Sequence, residues 1–132
     1  QEAGLDAFLR HWYAGALWAT LRRHPAFPRV LQMRSASADG GAAAAAVTEL
    51  AAALTSMSTG RMEHMWSSVS RVRLPVKLVV GQADPKYVTI NTHMIKVARD
   101  TSTISLAVVP RCGHAVHLEQ PLVLLSQLLA FY

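Results

Sequence analysis

Apolar residues recur with a helical period through the first half of the chain. From Leu5 to Arg23 they predict one amphipathic helix, whose apolar face carries Leu5, Phe8, Leu9, Trp12 and Ala16. Pro25 and Pro28 end this pattern, because proline lacks the donor that a helix interior needs. The pattern predicts further helices over Phe27–Met33, Ala43–Met57 and Met62–Ser68, the last with Met62, Met65, Trp66 and Val69 facing inward. A loop is expected over Arg34–Gly41, where Asp39 can cap the helix that follows.

The pattern changes at Pro75. Val76–Val80 and Ile104–Val109 are apolar on both faces, which is typical of buried parallel strands. Between them, a helix is predicted with one apolar face formed by Ile90, Met94, Val97 and Ala98. Pro121 suits the first position of a last helix, over Leu122–Tyr132. Its inward side is expected to carry Leu122, Leu125, Leu128, Leu129 and Tyr132.

The predicted order is therefore several helices followed by β-α-β-α, an α/β arrangement. Two parallel strands alone expose too much apolar surface and too many unpaired edges to be stable in water. We therefore expect further strands from an N-terminal half outside these 132 residues. The isolated chain is expected to be inactive and poorly soluble. The start, Gln1–Gly4, has neither an initiator methionine nor a signal-peptide pattern, and suggests a piece of something longer.

Composition narrows the classes of protein. An apolar share of 52% indicates a chain with a core, and no run of about 18 uncharged apolar residues predicts a membrane span. The net charge is +5, but the arginines are scattered and no basic stripe is interleaved with aromatic residues. Nucleic-acid binding is therefore not expected. A small anionic substrate fits the charge better.

Two side chains with catalytic potential follow the two predicted strands. Asp84 comes just after the first strand and His114 just after the second, so both are expected at the carboxyl edge of the sheet. This is the second half of the chain order Ser…Asp…His. No G-x-S-x-G motif occurs among the seven glycines, so a nucleophilic serine would lie outside this sequence. Cys112 is a weak candidate nucleophile, since triad members lie apart in sequence.

Four motifs together resemble one branch of the α/β-hydrolases. They are F-L-R-H-W-Y at 8–13, L-Q-M-R-S at 31–35, V-G-Q-A-D-P-K-Y at 80–87 and G-H-A-V-H-L-E-Q-P at 113–121. They resemble the 2-succinyl-6-hydroxy-2,4-cyclohexadiene-1-carboxylate synthases of menaquinone and phylloquinone biosynthesis, over nearly the whole chain. Gln82 stands where that family usually has Glu, and Leu118 replaces a polar residue. The Ala-rich segment also lengthens the interval from Arg34 to Asp84.

The resemblance implies a C-terminal fragment of an α/β-hydrolase fold. Residues 1–72 would be a helical cap, and residues 73–132 the last two parallel strands with their helices. The implied activity is a 2,5-elimination of pyruvate, a lyase reaction that uses neither a metal nor an organic cofactor. Plants and algae carry this enzyme fused at the end of a long plastid protein, so a plastid location is implied for such a source, and a cytoplasmic one otherwise.

The resemblance also assigns roles to residues. His114 would be the general base and Asp84 would hold its tautomer. Arg34 would bind a substrate carboxylate and Trp12 would line the pocket. Lys86 and Tyr87 match the family without an evident role. A metal site formed by His114, His117 and Glu119 is not favoured, since their spacing matches no known ligand pair.

Two alternatives remain open at this point. One is an ordinary esterase or C–C bond hydrolase of the same fold. Arg34 is the discriminator, since a neutral ester has no use for a buried cation. The other is a non-catalytic remnant of an α/β-hydrolase. The discriminator for the remnant is whether a serine elbow is encoded upstream, since its absence would favour the remnant.

Overall fold

The computed structural model describes residues 5–36 and 43–132. The chain forms two compact units, one of Gln1–Gly15 with Pro25–Glu63 and the other of Ala16–His24 with His64–Tyr132. The proposed division into a cap at 1–72 and a core at 73–132 stays a prediction. None of the helices in the described part is long and apolar enough to cross a bilayer.

The first unit is helical. Its helices are α1 (Leu5–Ala14), α3 (Phe27–Ala36) and α4 (Ala43–Ser56). Leu9 and Tyr13 are the buried residues of α1, four positions apart on one face. The Tyr13 ring meets the Phe27 ring edge-on at 5.5 Å between centroids, and the Ser35 hydroxyl donates to Asp6 Oδ1 at 2.6 Å. These two contacts hold α1 against α3.

Two helix predictions in this part of the chain are corrected. The single helix expected over Leu5–Arg23 ends at Ala14, and is followed by a 3-10 turn at Ala16–Trp18 and by α2 at Ala19–Arg23. The break falls at Gly15, where glycine costs about 1 kcal/mol relative to alanine in a helix interior. The predicted loop begins too early, because α3 continues through Arg34 to Ala36. The expected cap, Asp39, lies outside the described residues.

The second unit holds the two predicted strands. β1 (Val76–Gly81) and β2 (Ile104–Val109) are parallel neighbours, in register from Val76 opposite Ile104 to Gly81 opposite Val109. Helix α6 (Pro85–Val97) makes the crossover between them. The other helices of this unit are α2, α5 (Trp66–Val69), α7 (Val116–Glu119) and α8 (Pro121–Leu129). The β-α-β-α order and both strands are therefore confirmed.

The core of this unit lies beneath the loop that follows β2. Val109, Cys112 and Val116 are buried there, with Val79, Val123 and Leu124 packed against them. Leu122, Leu125 and Leu129 of α8, which the sequence pattern predicts to face inward, do not pack against this core: they are 79%, 51% and 70% exposed. Because α8 is apolar on most of its circumference, periodicity finds an apolar face without showing which face meets this core.

The helix predicted over Met62–Ser68 is also shorter than expected. Only Trp66–Val69 is helical, and Met62 and Met65 are 57% and 59% exposed rather than inward. A helix of seven residues is below the length at which helices sustain themselves, so a few suitably spaced apolar residues are a weak signal.

Gly81 lets the end of β1 lie close to the loop that follows β2. A Cβ atom on Gly81 would lie 2.0 Å from the carbonyl oxygen of Gly113, a distance that no side chain tolerates. The backbone amides of Gln82 and Ala83 donate to Val109 O and Cys112 O, both at 2.8 Å. The turn after β1 is thereby bonded to the loop after β2. This brings the segments that carry Asp84 and His114 together.

Candidate active site

Asp84 and His114 form a hydrogen-bonded pair at the carboxyl edge of the sheet. His114 Nδ1 lies 2.7 Å from Asp84 Oδ2. The carboxylate is 4% exposed and the imidazole is 27% exposed. One member of the pair is therefore buried, and the other reaches the surface. The two residues that the sequence placed past neighbouring strands do meet in space.

The structure around Asp84 fixes both of its oxygens. Asp84 is the N-cap of α6, where Oδ1 accepts a hydrogen bond from Tyr87 N at 3.2 Å and Pro85 occupies the first helical turn. An ionised carboxylate can only accept hydrogen bonds, so His114 Nδ1 carries the hydrogen and donates to Oδ2. The other ring nitrogen, Nε2, then keeps its lone pair. This is the tautomer that a general base needs.

Two aromatic rings flank the imidazole. The Trp18 ring meets it edge-on at 5.3 Å between centroids, and the Tyr87 ring lies at 4.8 Å and 51°. Lys86 Nζ lies 5.6 Å from the centroid of Tyr87. From the sequence, Tyr87 has no evident role and Trp18 falls inside one continuous predicted helix. Only the break at Gly15 could have drawn attention to Trp18.

The loop that carries His114 is tightly built. Arg111, just before it, has a φ of 54°, a left-handed conformation that is uncommon for a residue other than glycine. The buried carboxylate of Glu119 accepts hydrogen bonds from Gly113 N at 2.8 Å and from Ala115 N at 3.3 Å. From the sequence, Glu119 is marked only by its place in the motif at 113–121 and by a metal role that its spacing does not favour. In the part of the chain that the structure describes, no three His, Cys, Asp or Glu side chains come together to hold a metal ion.

The other two predicted site residues lie in the first unit. Arg34 is exposed near the end of α3, on a helix rather than on the expected loop. Trp12 is 43% exposed and stacks on Phe8, with 5.8 Å between ring centroids. It also lines a cavity of about 530 Å³ in that unit, together with Leu50, Ala53, Leu54, Met57, Ser58 and Thr59. Their participation in one site with His114 stays a prediction.

Known proteins show clear similarity to this chain. It is 33% identical over 126 residues to Protein PHYLLO, chloroplastic, of Arabidopsis thaliana, over 92% of this chain and 7% of that protein. It is 32% identical over 118 residues to a Bacillus subtilis (strain 168) protein whose provisional name is 2-succinyl-6-hydroxy-2,4-cyclohexadiene-1-carboxylate synthase, over 89% of this chain and 40% of that protein. The chain is a homologue of these two proteins. No protein-family model matches it.

The fold agrees with this homology. The structure of MenH from S. aureus superposes with a TM-score of 0.80 at 22% identity, over 98% of this chain and 46% of that one. The chain therefore has part of an α/β-hydrolase fold, as the sequence motifs implied. It spans less than half the length of the homologues and of the MenH structure that it matches.

Cys112, the weak candidate nucleophile near His114, is expected to be unreactive. It is fully buried, and burial followed by the nearby charge of Glu119 raises the pKa of its thiol from 9.0 to about 11. Because the thiolate is the reactive form, Cys112 should stay protonated and inert at neutral pH.

We therefore expect Cys112 in the native full-length protein to resist iodoacetamide at pH 8 and to react once the protein is unfolded in guanidinium chloride. Mass spectrometry of the peptide that contains Cys112 checks this. The raised pKa also means that the native state holds the thiol proton more tightly than the unfolded state. The contribution of this difference to the stability of the native state is fully present below about pH 9 and is lost as the pH rises towards about 11. Rapid labelling of the native protein at pH 8 would contradict the assignment.

Proposed function

We propose that this chain supplies the histidine and the aspartate of a Ser-His-Asp triad in a lyase of the α/β-hydrolase superfamily. The reaction would eliminate pyruvate from a succinyl-enolpyruvyl-hydroxycyclohexene-carboxylate, a step of menaquinone or phylloquinone biosynthesis. The observation that carries the proposal is the 2.7 Å bond between His114 and Asp84 at the carboxyl ends of adjacent parallel strands. The name of the Bacillus subtilis homologue gives a product, 2-succinyl-6-hydroxy-2,4-cyclohexadiene-1-carboxylate, and so supports this substrate class.

The proposed chemistry needs a base but no redox partner. His114, acting through the serine, would accept a proton from a ring carbon of the substrate. The electrons left behind would form a ring double bond as the carbon–oxygen bond to the enolpyruvyl group breaks. The departing enolate would take a proton back and leave as pyruvate. Asp84, which accepts a hydrogen bond from Nδ1–H, would stabilise the imidazolium that forms between these steps.

A segment outside these residues would complete the site. It would supply the serine, the oxyanion donors and the neighbouring strands, since β1 and β2 are the only strands in the described residues. The exposed leucines of α8 and the 44% exposure of Val108 on β2 support a proposal that further structure covers this unit. If the chain comes from a plant or an alga, we propose a plastid location, by analogy with the chloroplastic Arabidopsis homologue.

The direct test is an assay of the full-length native protein. Incubated with the proposed substrate, it should release one pyruvate for each ring product formed, measured by coupling to lactate dehydrogenase. Simple aromatic esters should be turned over much more slowly. Efficient hydrolysis of esters without pyruvate release would favour an esterase and end the lyase proposal.

Arg34 offers a second test, because the substrate is anionic and this guanidinium is exposed to meet it. Arg34→Ala should weaken substrate binding by about 2–5 kcal/mol if a desolvated carboxylate pairs with it. The loss should appear mainly in KM. Arg29→Ala, an exposed arginine of the same helix, is the matched control and should change KM little. Equal KM values for both variants would remove Arg34 from the site.

A further inference from the structure

The carboxylate of Glu119 lies behind the loop that presents His114. It is 5% exposed, so it is buried as deeply as the catalytic Asp84. Burying a carboxylate is costly unless hydrogen bonds replace its water. Glu119 accepts such bonds from the backbone amides of Gly113 and Ala115, the residues immediately before and after His114. A single side chain therefore holds the backbone on both sides of the proposed base.

A third donor comes from a distant part of the sequence. The Thr20 hydroxyl, on α2, donates to Glu119 Oε1 at 3.1 Å, 99 residues away along the chain. Thr20 also lies directly against Gly113, where an added Cβ would stand 1.8 Å from Thr20 Oγ1. Thr20 on α2 and Gly113 in the His114 loop therefore both donate to the carboxylate of Glu119, which belongs to α7.

We propose that Glu119 is a positioning residue, oriented by Thr20, that sets the angle at which His114 presents Nε2 to the substrate. Glu119 lies on α7, whose backbone is tied to the same loop by the bond from Glu119 N to Ala115 O at 2.8 Å. Asp84 fixes the imidazole ring through Nδ1, and Glu119 fixes the backbone that carries the ring. The kinetic part of this proposal rests on the proposed function of His114.

Glu119→Gln is the most informative variant, because it keeps the size of the side chain. An amide has one accepting oxygen and one donating –NH2 group. In either orientation the –NH2 group meets a backbone amide, that of Gly113 or that of Ala115, and that amide loses its acceptor. We expect kcat to fall by about 10- to 100-fold with KM within about twofold, since a misplacement of about 1 Å can cost about 10²-fold.

Thr20 supplies a pair of variants with matched shapes. Thr20→Val keeps the volume but removes the hydroxyl, and should lower kcat by about three- to tenfold, a part of the misplacement cost. Thr20→Ser keeps the hydroxyl and should restore kcat to near the wild-type value. If Glu119→Gln does not fold, as judged by its thermal melt, this pair decides the proposal. Equal kcat values for Thr20→Val and Thr20→Ser would overturn it.

A double variant separates positioning from general stability. If Glu119 acts through His114, adding Glu119→Gln to His114→Ala should lower the residual rate no further. A further drop of tenfold or more would show that Glu119 acts elsewhere and would overturn the proposal.

A spectroscopic readout does not depend on the reaction. The Nδ1 proton of His114, bonded to Asp84, should give a low-field proton resonance in full-length protein labelled with ¹⁵N-histidine. That resonance should shift or broaden in Glu119→Gln and in Thr20→Val, and stay in place in Thr20→Ser. An unchanged resonance in all variants would overturn the positioning role. If the wild type releases no pyruvate but the resonance shifts as expected, only the proposed function fails.

Discussion

His114→Ala should abolish nearly all pyruvate release by the full-length protein, with kcat lowered by about 10⁴- to 10⁶-fold. Removal of a triad base has an effect of this size, because the nucleophile and the base act as a unit. The geometry of the pair supports the expectation, because Asp84 occupies Nδ1 of the imidazole and Nε2 is the nitrogen left for the reaction. KM should change much less than kcat, since a residue that moves protons contributes mainly in the transition state.

His117→Ala is the matched control for this experiment. His117 lies three residues along the same loop and helix, and is exposed. It should retain activity within a few-fold of wild type, and both variants should melt within a few degrees of the native protein. Comparable losses in the two variants would show that the loop, and not the base, had been damaged. A His114→Ala enzyme with normal kcat would end the triad assignment.

The pairing of Asp84 with His114 was predictable because it follows from local signals. Each residue comes directly after an apolar, β-branched run, and the carboxyl ends of parallel strands meet at one edge. The crossover helix is marked as well, by Asp84 at its N-cap and Pro85 in its first turn. Such features depend on a few neighbouring residues, so one sequence suffices to find them.

The surroundings of the pair depend on contacts between distant segments. Trp18 and Thr20 reach the His114 loop across almost 100 residues, and only because the chain leaves its helix at Gly15. Nothing in the periodicity of Leu5–Arg23 signals that departure, since a single glycine is often tolerated in a helix. The same limit applies to the packing face of α8. That face is decided by Val109, Cys112 and Val116, which lie outside the helix.

Family motifs recovered part of what periodicity missed. Glu119 and Tyr87 both stand in segments that resemble the family, which marks them as candidates without saying what they do. The structure gives each a contact: Tyr87 with the imidazole ring, and Glu119 with the backbone that carries it. Motif resemblance and geometry therefore answer different questions about the same residues.

Asp84→Asn should lower kcat by about 10⁴-fold while leaving the fold intact, as the equivalent change does in serine proteases. The amide oxygen can still accept from Tyr87 N and cap α6. The –NH2 group must then face His114 Nδ1, which can no longer donate and becomes an acceptor. The proton moves to Nε2, and the imidazole is held in the tautomer that cannot act as a base.

The measurement that separates this mechanism from simple destabilisation combines kcat with the histidine tautomer. In ¹⁵N spectra, His114 of the wild type should be protonated at Nδ1, and that of Asp84→Asn at Nε2. Asp100→Asn is the matched control, because Asp100 also caps its own turn, through Ser102, but is exposed. It should leave both kcat and the tautomer unchanged. Loss of activity in Asp84→Asn without a change of tautomer would contradict the orienting role and would assign Asp84 to helix capping alone.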